Sequence, residues 1–176
     1  MKTVVIYASK YGAAKQYAAW IAEELHAVLL EQGQVSPAQL QEFDCVIYGG
    51  GLYASGILGA SLVTKNPCKI LVVFTVGLAD PKNTDYTHIL KKNFSPESTQ
   101  PLKVFHLRGG IDYKKLGPVH RIMMAMLKRQ IAGKPDTAQT EEDRAFVEIY
   151  GKKVDFTDRY TIAPLVEFVR SQIHGG

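Results

Sequence analysis

Near the start of the chain, Ser9-Lys10-Tyr11-Gly12-Ala13-Ala14-Lys15 combines a hydroxyl, a small flexible turn and the start of a helical pattern. An unbroken apolar run, Val4 to Ala8, precedes it; Ala14, Tyr17, Ala18, Ile21 and Leu25 follow at helical spacing. A strand that turns directly into a helix aims free backbone N–H groups at an anion, and the helix dipole adds about 0.3–1 kcal/mol. A purely structural turn would read the same way, so the other strand ends must be weighed with it.

Common phosphate-binding patterns do not fit this turn. A dinucleotide fold needs G-x-G-x-x-G, and there is one glycine here; Glu31, which could stand in for the ribose-binding acid, then reads as a solvated charge. The nucleoside-triphosphate pattern G-x-x-x-x-G-K-[ST] is absent. A phosphoacceptor receiver needs acids at the first and third strand ends, where this chain has Ala8-Ser9 and Tyr48-Gly49.

Two further segments share the loop chemistry. Gly49-Gly50-Gly51-Leu52-Tyr53-Ala54-Ser55-Gly56 offers glycines for close backbone approach to a flat ligand and an aromatic face at Tyr53. Thr75-Val76-Gly77-Leu78-Ala79-Asp80 is a second small loop with backbone amides to spare. Each alone reads as an ordinary turn; three at neighbouring strand ends read as a site. His106, Arg108 and Asp112, at the end of a later strand, and Arg121 beyond them are the candidates for polar contacts to a substrate or partner. His106 is equally readable as a satisfied structural residue.

These loops need elements to hold them. Strands are predicted over Thr3–Ala8, Ala27–Leu30, Asp44–Tyr48 (ended by the three glycines), Lys69–Val76 and Lys103–Leu107. Helices are predicted from Ala13, over Pro37–Glu42 with Ser36 as cap, over Gly56–Val63, Tyr86–Lys92 and Pro118–Ile131, and finally over Ile162–Ile173. Five strand–helix alternations with continuous apolar strands indicate an α/β doubly wound parallel sheet with helices on both faces. Ligands bind such sheets at the carboxyl ends of the strands, at the switch point of strand order. Only Gly109 to Asp158 breaks the alternation.

The break is also where the charge lies. Tyr113 to Pro135 holds six basic residues and no acid, so the rest of this +4 chain, with its pI near 9.0, carries 15 basic against 17 acidic residues. Within it, Val119, Ile122, Met123, Met126, Leu127 and Ile131 follow helical spacing, with His120, Arg121, Lys128 and Met124 towards the other face. One reading is an extra helix packed on the sheet edge. The other is an amphipathic helix that docks on an anionic membrane or an acidic protein, or shapes a pocket for an apolar, acidic substrate. Nucleic acid is disfavoured, because no binding motif or interleaved aromatics accompany the charge.

Bulk properties exclude several classes. The longest apolar run, Ile70 to Ala79, falls well short of a membrane span, and the amino-terminal apolar stretch is too short for a signal core. A cytoplasmic protein, at most peripherally membrane-associated, is expected. Cys45 and Cys68 read as buried hydrophobes, and neither belongs to a metal-ligand pair. One domain over residues 1–176 suits the length.

The segment YASKYGAAKQYAAWIAEEL resembles the phosphate loop and first helix of flavodoxin domains. GGGLYASGI, FTVGLADP and FHLRGGIDYKKL are similar to the menaquinone-dependent protoporphyrinogen oxidase branch of that family. The resemblance spans essentially the whole chain and is strongest over Val4 to Ala79 and Val104 to Met124. It implies a flavodoxin-like three-layer sandwich, sheet order 2-1-3-4-5, with the basic helix inserted between strand 5 and the last helix. It implies flavin mononucleotide (FMN) with its phosphate on Ser9, Lys10, Tyr11, Gly12, Ala13 and Ala14. Gly50, Gly51, Leu52, Tyr53 and Ala54 would flank the isoalloxazine ring, as would Thr75, Val76, Gly77 and Leu78. Flavodoxins usually carry a second hydroxyl where this chain has Ala14, a loss of about 1–3 kcal/mol in phosphate binding. The implied activity is an FMN-dependent oxidoreductase moving electrons from a porphyrin precursor to a quinone. A flavodoxin-type electron carrier is the alternative, and a binding module without FMN a third reading.

Overall fold

The structure, a computed structural model, describes residues 1–95 and 102–174. Its strands are β1 (Thr3–Ala8), β2 (Val28–Glu31), β3 (Cys45–Tyr53), β4 (Gly56–Ile57), β5 (Ile70–Gly77), β6 (Leu102–Arg108), β7 (Gly110–Asp112) and β8 (Lys153–Asp155). Its helices are α1 (Ala13–Leu25), α2 (Ser61–Thr64), α3 (Thr87–Asn93), α4 (Pro118–Ala132), α5 (Glu141–Ile149) and α6 (Ala163–His174). Strands β2-β1-β3-β5-β6 form one parallel sheet in that order. Strand 1 thus lies between strands 2 and 3, the doubly wound arrangement expected from the alternation.

Alternate residues of each central strand enter different cores, which is why the strands read as unbroken apolar runs. Val5, Tyr7, Ile47, Val72 and Phe74 pack against Tyr17 and Ile21 of α1 and Leu165 and Val169 of α6. Val4, Ile6, Val46, Tyr48 and Val73 face the other way, onto Leu40, Phe43, Leu62 and Val63. Each fully buried side chain of this size contributes about 1.5–3 kcal/mol. Cys45 and Cys68 are buried in these cores and form no disulfide.

Several expected boundaries change. The third strand does not stop at the glycines: β3 runs through them to Tyr53, because Gly49 leaves room for the Phe74 ring. The helix expected over Gly56–Val63 is instead the short β4, paired antiparallel with the end of β3, then one helical turn at α2. Gly59, at φ +68°, makes the corner between them. Pro37–Glu42 is a 3₁₀ helix; Ser36 opens it, its N–H and hydroxyl both donating to Gln39 Oε1. The last helix forms as expected, although the side chain of Ile173 lies outside the described residues.

The stretch from Gly109 to Asp158 is more ordered than its sequence suggests. Strands β7 and β8 pair antiparallel, Gly110 with Asp155 and Asp112 with Lys153, and α4 and α5 lie between them in the chain. Gly110 is required there, since a β carbon would sit 2.5 Å from the Val154 carbonyl oxygen. Tyr17 ties this region to the sheet: its hydroxyl donates to Arg108 O (2.7 Å) and accepts from Asp158 N–H (3.1 Å). Among the described residues, no helix is long and apolar enough to cross a membrane.

Candidate functional site

The turn after β1 is organised by Ser9 and Gly12. Gly12 sits at φ +99°, a region that favours glycine, and its N–H donates to Ser9 Oγ (3.0 Å). The first helical bond of α1 is Gln16 N–H to Gly12 O (2.9 Å), which leaves the amides of Ala13, Ala14 and Lys15 without an intrahelical acceptor. No acid occupies the first turn and no side chain caps it. The positive end of α1 is therefore uncompensated and open to an anion.

Beside this turn lies a cavity of about 160 Å³. Ser9, Lys10, Tyr11, Ala13 and Ala14 form one wall, Gly51, Leu52, Tyr53 and Ala54 a second, and Val76, Gly77 and Leu78 a third. Three strand ends that lie apart in sequence thus bound one space, as the switch-point geometry requires. The remaining wall comes from Gly109, Gly110, Ile111 and Leu116 and from His120, Met123 and Met124 of α4.

Three aromatic rings join α4 to these loops. The His120 imidazole stacks on Tyr53 (4.8 Å between centroids, 3° between planes), and Tyr11 lies 6.5 Å from Tyr53. Tyr11 Oη is 2.5 Å from His120 Nδ1 and also accepts the Gly117 N–H (3.3 Å). Which of the two groups donates in the Tyr11–His120 bond depends on the imidazole tautomer. Desolvation, then the nearby Lys10, lowers the His120 pKa. Burial, then Tyr11, raises the Tyr53 phenol to about 12, so Tyr53 presents an uncharged aromatic face.

Not every expected site residue reaches the cavity. Gly50 packs against Ile57 and Leu58; a β carbon there would meet Ile57 Cγ2 at 2.6 Å. Thr75 is fully buried, its hydroxyl 2.6 Å from His106 Nδ1, while His106 stacks on Tyr86 (3.5 Å, 5°). Burial lowers the His106 pKa to about 4, so this imidazole is a neutral structural partner rather than a cavity group. Arg108 Nε donates to Leu78 O (3.1 Å), and its guanidinium lies 3.8 Å over Phe156, bracing the Gly77 loop. Arg121 donates to Lys114 O (2.9 Å). Asp112 accepts the Lys114 N–H (3.1 Å), and with Gly12 it lines a second hollow of about 390 Å³ behind Tyr11.

Helical spacing places α4 correctly, but the structure divides its expected apolar stripe between the protein and solvent and turns His120 and Met124, expected on the other face, inward. His120, Met123, Met124 and Ile131 face the protein, whereas Val119, Ile122 and Met126 face solvent. Helical spacing defines a stripe; it does not say which stripe looks inward, and the Tyr11 and Tyr53 contacts that decide it are non-local. Among the described residues, no group of three or more His, Cys, Asp or Glu is placed to hold a metal ion.

The cavity's donor set is free amides and a hydroxyl at one end, an aromatic face at Tyr53 and apolar walls. It fits a phosphate monoester joined to a flat, largely apolar ring. A search of curated proteins returned no significant match. Among solved structures, the chain is similar to a putative flavoprotein from Bacteroides uniformis (14% identity, 61% of this chain and 90% of that one, TM-score 0.47). It is also similar to a flavoprotein in complex with FMN from Lactobacillus acidophilus (13%, 61% and 91%, 0.41). A flavodoxin, WrbA-like protein from Agrobacterium tumefaciens is 26% identical over 52% of this chain and 65% of that one (0.39). A flavodoxin domain family model matches residues 4–138, from β1 through α4, and the chain belongs to that family.

Proposed function

We propose that this chain binds FMN and acts as an oxidoreductase of the protoporphyrinogen oxidase type, passing electrons from an apolar, acidic substrate to a quinone. The observation that carries the reading is the fourth wall of the cavity. Met123, Met124 and Leu116 turn an open cofactor cleft into a pocket with an adaptable apolar side, as a substrate of its own would need. FMN, when bound, supplies the electron transfer.

The chain's residues supply the setting. Ser9 and the free amides at the start of α1 hold the phosphate, and Tyr53 packs on the ring. Gly51 and Gly77 let the backbone come close, and Met123 and Met124 exclude water. Lys10 places positive charge at the pocket, which favours the reduced, anionic form of the cofactor. The pI near 9.0 counts against a flavodoxin-type carrier, since such carriers are typically acidic and dock on basic partners.

The test is anaerobic mixing of the FMN-loaded protein with protoporphyrinogen, followed by a menaquinone analogue. Bleaching of the visible flavin band by the first and its return with the second is the expected result. A retained flavin that responds only to a reductase would assign the chain to the carriers. A protein that retains no flavin would refute both.

A further inference from the structure

The outward stripe of α4 has no use in the pocket. Val119, Ile122 and Met126, spaced i, i+3 and i+7 on one face, are 66%, 61% and 66% exposed. Arg121 and Arg129, on the same helix, and Lys115, just before it, are exposed around them. Among the described residues, none of these three cations is paired with a carboxylate. Large apolar side chains left in water beside unpaired cations form the signature of a helix lying in a membrane interface.

We propose that α4 docks this protein on an anionic lipid bilayer surface. Val119, Ile122 and Met126 enter the acyl boundary, while Lys115, Arg121 and Arg129 remain at the phosphate level. Charge selects this occupant over a second copy of the chain, because pairing two such stripes would bring Arg121 and Arg129 of both copies together. Shape selects it over a folded partner: the stripe is a convex ridge of three side chains, which a fluid interface accommodates without a matching groove. Met123 and Met124 sit on the neighbouring face of the same helix, so docking brings the pocket wall to the lipid. This deepens the proposed function by naming where a lipid-soluble acceptor is met, yet the docking itself requires no flavin.

The experiment is co-sedimentation of the protein with vesicles of phosphatidylglycerol and phosphatidylcholine, compared with phosphatidylcholine alone. Binding at least about tenfold stronger to the anionic vesicles is expected, with a loss of similar size in the Ile122→Glu/Met126→Glu double variant. Both positions are solvent-exposed, so the variant keeps the parent circular-dichroism melt. An environment-sensitive label on Ile122→Cys should shift to the blue on anionic vesicles, and the same label on Lys65→Cys should not; Cys45 and Cys68 are buried and do not compete. Equal binding to both vesicle types, or an unshifted label at position 122, overturns the proposal. So does a blue shift that grows with protein concentration without lipid, which would identify a second copy as the occupant. FMN titration of the same samples separates this result from the cofactor reading, because the three stripe residues do not line the cavity.

Discussion

Replacing Gly49 with alanine decides whether the glycines at the end of β3 serve the sheet or a ligand. An ideal β carbon at Gly49 would lie 1.9 Å from Phe74 Cζ and 2.4 Å from both Cε atoms. The tip of a fully buried ring would have to retreat by about 1.5 Å to reach ordinary contact near 3.4 Å. Overpacking of this kind costs about 1–3 kcal/mol, and the lower strand entropy cost of alanine offsets about 0.5–1 kcal/mol. An approach as close as 1.9 Å puts the cost at the upper end of that range, and the resulting net loss of about 2 kcal/mol lowers the melting temperature by roughly 4–8 °C in a chain of this length. Urea unfolding monitored by Trp20 fluorescence reads the free energy, and calorimetry reads the melting temperature. In a Phe74→Leu background the colliding ring is gone, so the same glycine substitution should cost under about 0.5 kcal/mol, a coupling of more than 1 kcal/mol. Gly50→Ala, facing Leu58 O at 2.8 Å, should be at least as damaging, and Gly51→Ala, 3.1 Å from the Tyr53 ring, milder. A Gly49→Ala protein as stable as the parent, or one equally destabilised in both backgrounds, would refute the packing argument.

Tyr17→Phe strands the Arg108 carbonyl and the Asp158 N–H, so urea unfolding should show a loss of about 1–3 kcal/mol. Ala14→Ser restores a hydroxyl at the phosphate loop; a charge-assisted bond of about 1.5–3 kcal/mol should tighten FMN binding tenfold or more in a fluorescence-quenching titration. His106 is held at about 4 by burial while an unfolded histidine titrates near 6.5, so the unfolded chain binds the extra proton between those values. Stability should be full above pH 6.5 and fall by on the order of 3 kcal/mol as pH drops towards 4, and His106→Asn should flatten that slope. His120→Ala removes a stack and a hydrogen bond together worth about 1–3 kcal/mol; trypsin should then cut at Arg121 or Lys128 about tenfold faster, with no change at distant sites.

The sequence carries the sheet well because its rules are local. Short continuous apolar runs such as Ile70 to Val76, rich in β-branched residues and ended by glycine, read as strands covered on both faces, and the glycine or helix signal after each marks the end where ligands collect. The three loops bounding the cavity follow from that logic alone. What escapes is anything decided across the chain. Gly49 and Gly50 look like ligand clearance, but the atoms that need the space are Phe74 and Leu58. Thr75 and Arg108 look like site donors until His106 and Leu78 O are seen to occupy them. Pairing of β7 with β8, across an intervening pair of helices, leaves no periodic trace in strands of three residues.

That pairing has a consequence for how such a protein can change. Asp112 and Lys153 pair across β7 and β8, so residues 113–152 depart from that two-stranded ribbon and return to it at one point. An excursion with adjoining ends can be lengthened, shortened or exchanged without moving the register of the five main strands, because closing a longer loop costs little more than closing a short one. The loop proposed to hold phosphate is written into one stretch of chain and the pocket's outer wall into another. Lineages carrying this fold are therefore free to inherit the first and rewrite the second.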